Sequence, residues 1–80
     1  MQVEPFKTHN LMLATWLEHY EGFPMRMVRQ ENGRGHFEFD PAAWEVVHEK
    51  WDTGFAIHDL ADFSAAYFRN QKKLKNAHGN

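Results

Sequence analysis

Residues 22–51 constrain the fold of this chain more than any other stretch, because they alternate, reverse and then change period. Phe37 and Phe39 alternate with His36 and Glu38, and Met25 and Met27 alternate with Arg26, which is the two-residue repeat of half-buried strands. Between the runs, Asn32-Gly33 supplies residues that tolerate the positive φ of a tight reversal, with Gly35 placed for a bulge. The pattern predicts a β-hairpin with Met25, Met27, Phe37 and Phe39 on one face and Arg26, Val28, His36 and Glu38 on the other. Asp40-Pro41 then turns the chain into a helix. Asp is a favoured cap, and Pro sits well in a first turn where no N–H is missed.

Around this hairpin the rest of the chain reads as helix. Thr8, ahead of Asn10, is the candidate cap of a first helix ending near Tyr20, with Leu13, Trp16, Leu17 and Tyr20 on its buried face. Gly22 and Pro24 stop it. The helix over residues 41–51 is expected to bury Trp44, Val47, His48 and Trp51. Phe55-Ala56-Ile57, between Gly54 and Asp59, is read as a third strand reached by a right-handed crossover. Asp59 would cap a last helix to about Lys75, lined by Leu60, Phe63, Tyr67 and Leu74 with Phe68 at the margin.

The expected fold class is therefore α+β: a small, mainly antiparallel sheet of two to three strands with three helices. Residues 1–7 form a lead-in, 8–75 a single domain, and 76–80 a flexible tail. Eighty residues leave no room for a second core. Seven Phe, three Trp and two Tyr supply large buried areas that offset the small size without disulfides. The mean hydropathy of −0.70 reflects polar residues set between these aromatics.

Composition excludes several classes of function. With no cysteine, disulfide frameworks, thiolate metal sites and thiol chemistry are all absent, which suits a cytoplasmic protein. The opening residues lack a signal-peptide pattern, and no apolar run is long enough to span a membrane. The formal net charge is −2. Of nine bases, Arg69, Lys72, Lys73 and Lys75 fall in the last twelve residues without an acid, leaving five bases against eleven acids, a balance of −6, in the body.

No constellation carries a catalytic signature. His48 and Asp52 share a helix face and His58 follows, but the spacing matches no metal motif, and His48 is better explained at the core edge between Trp44 and Trp51. His9, His19, His36 and His78 read as surface residues. The carboxylates fall on polar faces, Ser64 has no nucleophile-elbow context, and Gly33-Arg34-Gly35 lacks the frame of a phosphate loop. Neither a cofactor, a metal nor a catalytic residue is assigned.

Two surfaces remain as binding candidates. The outer sheet face, Arg26, Val28, His36 and Glu38, would be open if all helices pack on the Phe/Met side, and Trp16 or Trp51 at an element's edge would serve as a partner anchor. Alternatively Arg69, Lys72, Lys73 and Lys75, interleaved with Tyr67 and Phe68, would track a nucleic-acid backbone. Against that, basic residues also favour a helix C-terminus for purely structural reasons.

The motifs Phe6-x-Thr8-x-x-Leu11-x-Leu13-Ala14, Gly22, Phe37-x-Phe39-Asp40, Gly54 and the Leu74-Lys75 end together resemble a family of small bacterial and bacteriophage domains of unknown function. The resemblance spans about residues 6–75. It implies a compact α+β fold, a phage or mobile-element setting and no catalytic residue. The expected function is a non-enzymatic binding module that occupies a surface of a protein partner, such as a host or defence factor, or associates with itself as a homodimer. The alternative is a nucleic-acid-associated protein using the basic helix.

Overall fold

The computed structural model describes residues 4–29, 34–54 and 56–77. Among them the chain runs β1 (Phe6–Thr8), α1 (Leu11–His19), β2 (Arg26–Arg29), β3 (Gly35–Phe39), α2 (Ala43–Val46, continued by a wide π-type turn over Val47–Trp51) and α3 (Leu60–Ala77). Three antiparallel strands in the order β1-β3-β2 pack against helices in an α+β arrangement.

The hairpin has the expected register. Met27 pairs with Phe37, Val28 with His36 and Arg26 with Glu38, so the two-residue alternation separates an apolar from a polar face. Its Asn32-Gly33 turn lies outside the described residues. The third strand is not at residues 55–57. Phe55 lies outside the described residues, and Ala56 and Ile57 are irregular. Instead the lead-in supplies it: Phe6 pairs with Phe39, Lys7 with Glu38 and Thr8 with Phe37. β3 is thus the central strand, and all five of its residues are buried.

Because Thr8 belongs to β1, it does not cap α1. Its hydroxyl accepts from the Asn10 N–H at 2.9 Å, and Asn10 Oδ1 in turn accepts from Leu13 N–H at 3.1 Å as the cap. Leu13, Trp16 and Leu17 point inward as their spacing requires. Gly22, with φ of +73°, then lets the chain leave the helix.

After β3, Asp40 Oδ1 accepts from Ala42 N–H at 2.9 Å, opening α2. Its C-terminal half carries one residue too many for a regular turn, and the Asp52 N–H reaches back five residues to the Val47 carbonyl. A single helical period therefore does not sort the faces of this segment. Ala43 and Val47 are buried, whereas Trp44 and His48, both expected inside, are exposed.

α3 lies along α1. Its buried residues are Phe63, Ala66 and Asn70, spaced by three and four. Tyr20 and Phe63 stack with centroids 5.8 Å apart, and Asn70 Nδ2 donates to Thr15 Oγ1 at 3.2 Å in the interior. Phe6, Leu13, Leu17, Phe37, Phe39 and Phe63 meet in a single core.

Candidate functional site

The surface that packing leaves unexplained is the outer side of α3. Residues 60–68 contain a single charged side chain, Asp62, although most of them do not face the core. Burying Phe63, Ala66 and Asn70 forces the opposite side of the same helix toward solvent. Leu60 is 69% exposed and Phe68 62% exposed, with Ala61 and Ala65 exposed between them. Met12, 41% exposed, adds to the patch from α1. Beside Leu60 and Phe68 runs a groove of about 160 Å³ floored by Phe63 and Ser64 and flanked by Met12, Ile57 and Tyr67. Large apolar side chains grouped in this way mark contact surfaces, whereas scattered ones do not.

One turn further along α3 the surface turns basic. Arg69 is held by the body, its guanidinium 2.6 Å from Glu18 Oε1. Lys72, Lys73 and Lys75 are exposed. The four residues expected to act together are therefore divided, with Arg69 serving as a strap between α3 and α1.

The outer sheet face brings Arg26, Val28, His36 and Glu38 together, but it is not the open surface expected from the sequence. His36 is 5% exposed and Glu38 9%. With β1 alongside, Glu38 sits between Lys7 and Arg26 on the central strand. Its carboxylate accepts from Arg26 Nη2 at 2.8 Å and from His36 Nε2 at 2.7 Å. A carboxylate only accepts, so His36 carries its proton on Nε2. These bonds, from His36 first and Arg26 second, hold the Glu38 carboxyl below its ordinary range despite burial. His9 donates from Nδ1 to the Gly35 carbonyl at 3.1 Å and sets its ring edge-on to His36 at 5.9 Å. Arg26 alone of the four remains well exposed, and Val28 is half-buried.

A second polar group joins α1 to the start of α3. The Asp59 carbonyl takes the Phe63 N–H, so α3 opens there as expected. The Asp59 side chain, however, turns toward α1, where the Tyr20 hydroxyl donates to one oxygen and His19 Nε2 to the other. The Tyr20 and His19 bonds lower the Asp59 carboxyl, while desolvation and the same Asp59 bond raise the Tyr20 hydroxyl. Together the two bonds fasten the end of α1 to the start of α3.

The remaining candidates separate. Trp16 is 3% exposed, packed 5.6 Å from the half-buried Trp51, so it is part of the core and not the edge anchor expected of it. The exposed tryptophan is Trp44, at 47%, lying edge-on to Phe6 at 4.8 Å. His48 is solvent-exposed and bonded to Asp52 at 3.1 Å. Among the described residues no three His, Asp or Glu side chains gather as a metal ion would require. Nor is any described helix long and apolar enough to cross a membrane.

The sequence did carry a signal for the α3 face. An 18-residue helix whose first half holds one charge and whose second half holds four cannot present an ordinary solvated side along its length. No protein-family model, curated protein or solved structure matches the chain.

Proposed function

We propose that this protein is a non-enzymatic interaction module whose contact surface is the outer face of α3. The observation that supports it is the exposed apolar cluster of Leu60 and Phe68, continued by Met12. Burying such side chains against a protein recovers about 25 cal/mol per Å² of apolar area, which solvent exposure forgoes. In this reading the protein works in the cytoplasm, supported by the lack of cysteine, and belongs to a phage setting, supported by the motif resemblance. Its effect would come from occupying a protein surface, as an inhibitor of a host or defence factor would, or from self-association.

The test is affinity capture from a bacterial lysate, nuclease-treated and untreated, with the parent chain and with Leu60→Asp and Phe68→Asp. Both positions are exposed, so the variants should keep the parent's circular dichroism and Tm. Protein partners that survive nuclease and are lost with either variant support the module. Captured material that is indifferent to both substitutions, or that disappears with nuclease and with Lys72→Glu/Lys73→Glu, would overturn it in favour of a nucleic-acid role.

A further inference from the structure

Taking the α3 face as a contact surface, as proposed above, we infer that its occupant is a second copy of the same chain, packed α3 against α3 in antiparallel fashion about a two-fold axis near Ser64 and Ala65. Two features of the face are self-complementary. The first is shape. Ala61, Ser64, Ala65 and Phe68 lie on successive turns of the exposed side. An antiparallel pairing centred between residues 64 and 65 sets Ala61 of each copy against Phe68 of the other. Small faces large twice over, with Ser64 and Ala65 at the close approach. Helices pack by such interdigitation, and a two-fold contact repeats every favourable pair.

The second feature is charge. The polarity of the helix surface changes along its length, from one acid in residues 60–68 to the exposed Lys72, Lys73 and Lys75. In the antiparallel arrangement Lys72 and Lys75 run past the N-terminal end of the other copy's α3, toward a body whose residues ahead of the last twelve sum to −6. The basic end of each copy thus meets the acidic body of its mate, and the two helix dipoles oppose one another. A parallel pairing would instead stack lysine on lysine. Leu60, Met12 and Ile57 line the groove at the side of the contact.

Sedimentation equilibrium at about 50 µM, far above a micromolar Kd, reads the outcome directly. The parent should sediment at twice the 9.5 kDa chain mass. Phe68→Asp should raise the dimer Kd at least about 30-fold, as loss of an aromatic anchor does. Lys72→Glu/Lys75→Glu should weaken the dimer as well, and added salt should weaken the parent more than this variant. A parent that is monomeric, or a dimer indifferent to Phe68→Asp, would overturn the inference. A monomer that still loses captured proteins on Phe68→Asp would remove the second copy as occupant and leave the interaction module standing. A monomer whose captures do not change would remove both.

Discussion

Glu38 shows how one buried side chain ties the sheet to pH. Its depressed carboxyl pKa means that the folded state binds the proton less readily than the unfolded chain. The stability it contributes is therefore complete above its ordinary value of 4.5 and is lost as pH falls through the lower, folded value. Acid titration followed by circular dichroism should show destabilisation beginning below that point. Glu38→Gln removes the charge that His36 and Arg26 both address. It should cost about 1.5–3 kcal/mol at neutral pH, the usual worth of hydrogen bonds to a charged group. Urea titrations at pH 7 and pH 4 should show the deficit shrinking at the lower pH; an equal deficit at both would show that the carboxylate charge is not what matters. On the opposite face Phe37 is fully buried at the centre of the core. Phe37→Ala should cost about 3–5 kcal/mol and abolish a cooperative thermal transition in a domain this small.

Among the secondary elements, legibility followed the regularity of the backbone. Leu13, Trp16 and Leu17 on α1 and the alternation of β2 and β3 could be read directly, because each lies in an unbroken repeat of its own period. α2 could not. Four α-helical residues run straight into a π-type turn, so no single period sorts its faces: Val47 is buried and Trp51 half-buried as read, while Trp44 and His48 are exposed. β1, at three residues, is too short for any periodicity, and without it β3 reads as a strand with an open polar side. That omission concealed the burial of His36 and Glu38. On α3 the hydrophobic pattern placed Leu60 in the core with Phe68 at its margin, yet both are exposed and Ala66 and Asn70 join Phe63 inside, since close approach to α1 selects a small residue and a polar one with partners. Asn70 is the sharpest test of that packing. Asn70→Ala should cost about 1–3 kcal/mol, because the Thr15 hydroxyl keeps its bond to Leu11 while Glu18 loses a donor. Asn70→Asp should cost more at pH 7, since a carboxylate can no longer donate to Thr15 and is set against Glu18. Its deficit should narrow in acid, where the neutral carboxyl can donate again. Tm values of the two variants across pH check the ranking; a variant matching the parent would mean that Asn70 does not hold α1 to α3.

The whole molecule is an acidic body from which one helix carries an apolar and then a basic surface. Within the described body, charged side chains pair with one another: Arg26 with Glu38, Lys50 with Glu21, Arg69 with Glu18 and His19 with Asp59. By contrast, Leu60 and Phe68 remain largely exposed, beside lysines at the end of the same helix. A chain without cysteine offers a direct way to find what meets this face. Helices joined through alanine and serine pack about 8 Å apart, which brings facing Cα atoms within the roughly 4.4–6.8 Å reach of a disulfide. The decisive measurement is mild oxidation of Ala65→Cys, with Glu45→Cys on exposed α2 as the remote control. Covalent dimer should form rapidly from Ala65→Cys, slowly or not at all from Glu45→Cys, and be suppressed when Phe68→Asp is added to Ala65→Cys. Equal cross-linking at the two sites, or none at Ala65→Cys, would contradict an α3 face that meets its own copy.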